Sequence, residues 1–428
     1  MKVMIGKETL VYSVPVNENT KKWGVYSIPR MWRDISGKLI IRFNGERDVG
    51  DTDNMQIVPH LYFVSDDNGE TWTYDPDGAQ NYPCDILNGI GVPYTKINGS
   101  TLAFREQKDR KEIKNVPVLK EFMTPVAEAL VVSYRYGDIP DECKGIERLR
   151  YEDGTEPVDI LPVTIDFPER EILINKEGEI DGKYVPVTQK VKQSIFKNNY
   201  ICSVTPLPDG TLVAVSCGQH PEVQDHYNAI AYLMESRDMG LTWTKRGTIA
   251  KGTDVPYGYT GDGNEITMAR TVNGTLICAM RMEMSINPDV AKPLCDTMVA
   301  ISHDDGYTWE KPFSIADSSV TPQVRTFENG VVAVVYGRPG VHFKYSVDEG
   351  KTWSDSYSII GKTLEEYRKD GISDANSKYF DSCSYSNLFV EKLSEDTMLV
   401  LYNNNKYDEG DGIKHKAGFV RTVTFTNE

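Results

Sequence analysis

The 428-residue sequence predicts an all-β fold, a six-bladed β-propeller, from three observations. An octapeptide of the form S-x-D-x-G-x-T-W occurs four times. Apolar runs recur along the chain, each introduced by an Asn-Gly, Asp-Gly or similar turn. These units, counted in order, come to six, and a closed ring of them hides its strand edges.

The octapeptide begins at Ser65, Ser236, Ser302 and Ser346 and ends at Trp72, Trp243, Trp309 and Trp353, using four of the six tryptophans. Each copy follows a run with strand character, such as Leu61-Tyr62-Phe63-Val64 or Met298-Val299-Ala300-Ile301. Each therefore reads as a hairpin turn. Ser and Asp oxygens accept backbone N–H groups, Gly takes a positive φ, and Trp packs under the next strand.

Taken in order, residues 8–15 alternate as a strand and are expected to close the ring on the last blade. Residues 24–75 form a first blade, with Lys38–Phe43 as its inner strand. A second begins over residues 90–105, where Thr95–Phe104 reads strand–turn–strand. From about 107 to 199 the chain is charged and lacks the octapeptide, which reads as an insertion carried by the second blade. A third blade opens at Pro206 and ends near Trp243, a fourth opens at Asn264, and a fifth carries Phe327–Val335. A sixth runs from about Ser384 to Phe425. Residues 1–428 are thus expected to be one propeller domain, at about 71 residues per blade against the usual 40–50.

A net charge of −16 with no basic stripe argues against nucleic acid as a partner. No apolar run approaches the roughly 18 residues of a membrane span. The seven cysteines follow no metal or disulfide spacing, and Cys278, within Leu276-Ile277-Cys278-Ala279, typifies a buried thiol. No metal or cofactor motif is present. Met1–Lys7 lacks the apolar core of a signal peptide, so the expected location is the cytoplasm, or the periplasm or exterior if a leader was removed.

The octapeptide is the Asp box, and with the six-blade count the chain resembles the sialidase (neuraminidase) superfamily. In that family the boxes lie on outer hairpins, away from the catalytic mouth. The resemblance implies four functional stretches. In Glu46–Asn54, Asp53 matches the general acid/base and Arg47 a substrate-binding arginine, with Asn54 beside them and Asp51 as a rival acid. In Asn264-Glu265, Glu265 matches the base that serves the nucleophile, and Arg281, at the end of the same hairpin, grips the substrate carboxylate. Without the resemblance, Glu265 and Arg281 read equally as a structural ion pair. Arg338, in Gly337-Arg338-Pro339-Gly340, matches a later substrate arginine, with Arg325 as its rival. Tyr385, in Ser384-Tyr385-Ser386-Asn387-Leu388, matches the nucleophile.

The chemistry is coherent. A 2-keto sugar acid carries a carboxylate on its anomeric carbon, which repels a carboxylate nucleophile, whereas a neutral phenol paired with Glu can attack. Guanidinium forks suit the carboxylate. Two positions depart from the family. Ser27 stands where an Arg-Ile-Pro arginine is expected, with Arg30 and Arg33 as nearby substitutes. Asn403, after Tyr402, stands where a Glu would steady that arginine, and it counts as a substrate-binding candidate.

The expected function is an exo-acting, retaining glycoside hydrolase on a terminal sialic acid or related sugar, with carbohydrate as partner and no cofactor. Alternatives are another propeller glycosidase, a polysaccharide lyase using His220 or His226, or a carbohydrate-binding propeller without turnover.

Overall fold

A computed structural model describes residues 1–15, 29–43, 60–82, 94–107, 111, 113–123, 130–152, 154–169, 171–176, 179–180, 183–184, 195–196, 202–219, 229–251, 265–282, 296–337, 339–371 and 389–427. Six sheets, antiparallel throughout their blades, are arranged as a six-bladed propeller, with one parallel strand added at the edge of blade 3. Blade 1 runs Arg30–Arg33, Leu39–Phe43, Leu61–Ser65, Thr73–Asp75, from the axis outward. Blade 2 runs Thr95–Ile97, Ser100–Glu106, Ile146–Tyr151, Asp159–Pro162. Blade 3 runs Cys202–Pro206, Leu212–Gln219, Ala229–Ser236, Thr242–Lys251. Blade 4 comprises Ile266–Arg270, Leu276–Met282, Asp296–Ser302 and Phe313–Ala316. Blade 5 comprises Gln323–Thr326, Val332–Gly337, Val341–Ser346 and Tyr357–Ile360.

Blade 6 closes the ring. Its chain-terminal strands Phe389–Lys392, Thr397–Asp408 and Lys414–Thr426 are completed on the outside by the N-terminal strands Lys2–Ile5 and Thr9–Pro15. The expected closure by residues 8–15 is thus observed. Joining both chain ends in one sheet makes ring opening require loss of a full strand ladder.

Within 107–199, the described strands divide between two blades. Ile146–Tyr151 and Asp159–Pro162 are the outer half of blade 2. Thr164–Asp166 pairs in parallel with the outer strand of blade 3. Lys120–Met123, Leu130–Arg135 and Glu171–Lys176 extend that same sheet.

One expectation is corrected. The strand over residues 39–43 is second from the axis, not innermost; Arg30–Arg33 lines the axis. The long apolar runs are sandwiched between neighbouring blades on both faces, which is why Leu39–Phe43 and Val332–Gly337 are almost wholly buried. Strands at the axis are short and retain polar residues, and those residues stitch the blades. Thr267 Oγ1 donates to Pro322 O (3.1 Å) and accepts from Val324 N (2.9 Å). Thr326 Oγ1 donates to Arg270 O at 2.8 Å, and Gln323 Oε1 accepts from Val390 N at 3.0 Å.

The four octapeptides share one geometry. In the first, Gly69 N donates to Ser65 Oγ (2.8 Å), Ser65 Oγ donates to Asp67 Oδ1 (2.7 Å), and Thr71 N donates to Asp67 Oδ1 (2.9 Å). Thr71 Oγ1 donates to Asp67 Oδ2 (2.5 Å), and Trp72 Nε1 to Gly69 O (3.2 Å). Two consecutive residues take positive φ, for example Asp305 (55°) and Gly306 (94°). Each box glycine lies against the blade before its own. A Cβ on Gly69 would meet Leu399 of blade 6, one on Gly240 Phe104 of blade 2, one on Gly306 Leu233 of blade 3, and one on Gly350 Ile277 of blade 4. The boxes therefore fasten blades 1, 3, 4 and 5 to the blade before each.

The aspartates carry an acid dependence. Hydrogen bonds from the Thr71 hydroxyl and amide, then from Ser65, bring Asp67 down from 3.8 to about 2. Its contribution is complete above about pH 4 and is lost as pH falls toward 2. Asp67→Asn is expected to show a shallower loss of urea stability between pH 4.5 and 3 than the wild type. Equal slopes in the two proteins would count against this role.

Candidate functional site

In every blade the innermost strand starts, and the second strand ends, at the same end of the ring, opposite the Asp boxes. Blade 4 builds a charged unit there. Glu265 immediately precedes the inner strand, and Arg281 lies near the end of the second strand. The ladder continues one step beyond Ile266↔Met280, with Arg281 N donating to Glu265 O at 3.2 Å. This register places both side chains on one face.

Arg281 Nη1 donates to Glu265 Oε1 at 3.0 Å and to Oε2 at 2.9 Å. Glu265 Oε2 also accepts from Thr321 N at 2.9 Å. Both side chains remain about one-fifth exposed, so the pair is fixed yet reachable. Thr321 is β-branched with φ +44°, a strained conformation. Its neighbours hold it there: Thr297 Oγ1 donates to Ser318 O (2.6 Å), and Thr267 Oγ1 to Pro322 O (3.1 Å). The segment before blade 5 is thereby fixed on both sides of the amide that orients the Glu265 carboxylate.

Of the expected site residues, the described structure brings together Glu265 and Arg281. Asn403 lies in the second strand of blade 6, fully buried and paired with Gly418. It shares the strand face of Leu399 and Leu401, toward blade 1. On the opposite face, Tyr402 donates to Glu8 Oε2 at 2.6 Å. Burial, then Glu8, pushes the Tyr402 phenol well above its usual range. Asp53, Asn54, Arg47, Arg338 and Tyr385, with Ser27, Asp51, His220 and His226, lie outside the described residues.

The substitute arginines separate clearly. Arg33 Nη1 donates to Gly37 O (2.6 Å) and Nη2 to Asn68 Oδ1 (3.1 Å), at the Asp-box end of the ring. Arg30 begins its strand at the mouth end and is paired in register with Arg42. Arg325 is buried in the inner strand of blade 5. It donates to Val324 O at 2.8 Å, to Gln323 Oε1 at 3.1 Å and to Val390 O. Its guanidinium is spent on joining blades 5 and 6, which removes it as a rival to Arg338.

Sequence reasoning missed Thr321, Glu8 and Glu391. The strained φ of Thr321 has no sequence signal, and Glu8 meets Tyr402 across 394 positions. Glu391 looks like one of many acids until its place in an inner strand is known.

Cys143 and Cys278 are buried free thiols, as the cysteine spacing suggested. No helix among the described residues is long and apolar enough to cross a membrane.

Comparison with known proteins agrees with this architecture. Residues 63–74 match the BNR/Asp-box repeat, and residues 185–408 match the BNR repeat-like domain. No curated protein sequence matches the chain. Among solved structures, it is similar to a protein of unknown function from Dyadobacter fermentans DSM 18053. Identity there is 14%, with a TM-score of 0.55 over 99% of both chains. It is also similar to the NanB sialidase of Streptococcus pneumoniae, at 14% identity and a TM-score of 0.45, over 97% of this chain and 70% of that one. A GH93 alpha-L-arabinofuranosidase of Fusarium graminearum aligns at 15% identity and a TM-score of 0.37, over 52% of this chain and 61% of that one. At such identities the likeness concerns fold alone. The domain match spans 224 of 428 residues (185 to 408), and the chain therefore belongs to the BNR repeat-like domain family, as a six-bladed Asp-box propeller.

Proposed function

We propose that this chain is an exo-acting, retaining glycoside hydrolase that removes a terminal sialic acid or related sugar. The observation that carries this reading is Glu265, held at the mouth end by Arg281 and the Thr321 amide, where the family resemblance puts the base.

In the first half-reaction Asp53 gives its proton to the glycosidic oxygen as that oxygen leaves the anomeric carbon. The Tyr385 oxygen bonds to the same carbon, and its proton passes to Glu265. In the second, water loses a proton to Asp53 while its oxygen displaces tyrosine, and Glu265 returns the proton to the phenolate. Arg47, Arg281 and Arg338 receive the acidic group of the sugar, and Asn54 borders it, whereas Asn403 is fully buried between blades and is not assigned a contact with it. Three hydrogen bonds to Glu265 fix its orientation before substrate arrives, which is the condition for efficient proton transfer.

A binding propeller without turnover is the second reading. It is favoured by Asn403, which is neutral and fully buried where the family pattern has an acid. One experiment separates the two: turnover of a panel of aryl glycosides by the wild type, Tyr385→Phe and Glu265→Gln. The hydrolase reading expects turnover of at least one substrate, falling by about 1,000-fold in either variant. Undiminished activity in Tyr385→Phe would overturn the mechanism. No turnover by the wild type, with saturable binding of the same glycosides, would establish the binding reading.

A further inference from the structure

Two arginines stand opposite each other where the first hairpin of blade 1 reaches the mouth. Arg30 opens the innermost strand, Arg42 lies near the end of the second, and the ladder pairs them directly. Trp32, Ile40 and Tyr62 continue the same face, and with Tyr94, at the entry to blade 2, they form an apolar group turned toward that blade. The placement repeats that of Glu265 and Arg281. Those residues also end the first hairpin of their blade, and they too face the blade that follows, where the Thr321 amide meets Glu265. In a ring of six, blades 1 and 4 lie opposite each other. The mouth end therefore carries a neutralised pair on blade 4 and, across from it, a doubly cationic pair on blade 1.

The protein does not balance that second charge at Arg42. Its side chain is partly buried, its Nε is buried without a hydrogen-bond partner, and no acid pairs with it among the described residues. Elsewhere such guanidinium groups are engaged: Arg105 by Glu147 at 2.9 Å, Arg148 by Asp159, Arg246 by Glu235, and Arg421 by Ile359 O at 2.8 Å. The first of these pairs bears on Arg42 directly. Arg105 and Glu147 share the ladder face of Ala103 and Leu149, turned toward blade 1. The acid on that face is thus already taken.

Like charges directly opposite on neighbouring strands are destabilising, and an apolar floor screens them less than water does. An anion between them removes the repulsion. Guanidinium forks match the oxygens of a carboxylate, sulfate or phosphate, whereas a neutral sugar leaves both charges uncompensated. We propose that Arg42, with Arg30 beside it, holds an anionic group of the sugar substrate on the blade 1 side of the mouth, and so selects acidic over neutral sugars. Naming the ligand a substrate rests on the hydrolase reading; the anion site does not.

Isothermal titration of the intact chain reads the site directly. The probes are N-acetylneuraminic acid, glucuronic acid and galactose 6-sulfate, each beside an uncharged counterpart (the two methyl esters, and galactose). The wild type is expected to bind at least one anionic sugar saturably. Arg42→Gln should weaken that binding at least about tenfold while leaving the uncharged counterpart unaffected, and Arg42→Lys should recover part of the loss. The preferred probe tells carboxylate from sulfate. Because Arg42→Gln removes a repulsion, its urea unfolding is expected to show no loss of stability, which an arginine with a merely structural role would not allow. No anionic sugar bound by the wild type, equal losses for charged and uncharged forms, or binding unchanged in Arg42→Gln would each overturn the proposal. The two readings fail separately. Arg42-dependent anion binding without turnover of any aryl glycoside overturns the hydrolase reading alone. Turnover of neutral aryl glycosides, with anion binding indifferent to Arg42→Gln, overturns this proposal alone.

Discussion

Gly306→Ala is expected to destabilise the propeller by about 2–4 kcal/mol, read as a shift in urea unfolding. Two causes combine. Gly306 has φ +94°, where an L side chain is strained by about 1 kcal/mol or more. A Cβ there would also stand 2.0 Å from Leu233 Cδ2, on the adjoining blade, and 3.2 Å from Leu276 Cδ1. Leu233 and Leu276 are fully buried, so neither can withdraw without disturbing a close-packed interface. Gly330→Ala separates the two causes. Gly330 has φ +85° with nothing within 4 Å of the added carbon, so it reports backbone strain alone. The packing share predicts that Gly306→Ala costs clearly more than Gly330→Ala, and that its cost shrinks in a Leu233→Ala background. Equal losses at the two glycines would refute the view that the box clamps one blade to another.

The same packing explains what the sequence made legible. The Asp box is local: its hydrogen bonds close within eight residues, so the pattern survives intact in the primary structure. Residues 8–15 showed their role because a strand at the edge of a sheet keeps a visible alternation. The innermost strands did not. Thr95–Ile97 has only three residues, and Arg30–Arg33 carries a charge at each end, so neither yields a period worth reading. The apolar signal was strongest in the second strand, which is why residues 38–43 drew the innermost assignment. At the site, Glu265 and Arg281 were visible because they flank one hairpin. Whether a guanidinium such as Arg325 faces ligand or is consumed by carbonyl oxygens depends on the neighbouring blade, 65 positions away at Val390. No local pattern encodes that.

Glu391 provides the other large effect, and its sign is unusual for a carboxylate. It sits in the inner strand of blade 6 at 8% exposure, and its Oε2 has no hydrogen-bond partner among the described residues. Burial pushes its carboxyl from 4.5 up to about 7, against the opposing pull of Arg325 and then Arg33. Because the folded state holds this proton more tightly than the unfolded chain, stability is greatest below about pH 4.5 and falls as pH rises through 7. The difference corresponds to about 3 kcal/mol across that window. Glu391→Gln keeps the shape without the charge. It is expected to match the wild type near pH 4.5 and to exceed it increasingly up to pH 8. Arg325→Met should act in the opposite sense, removing the larger opposing charge and extending the decline above pH 7. Urea unfolding of the three proteins at pH 4.5, 6, 7 and 8 decides the matter. A pH-independent difference between wild type and Glu391→Gln would show that the carboxyl ionises in the folded state as easily as in water, and burial at the axis would then carry no electrostatic cost.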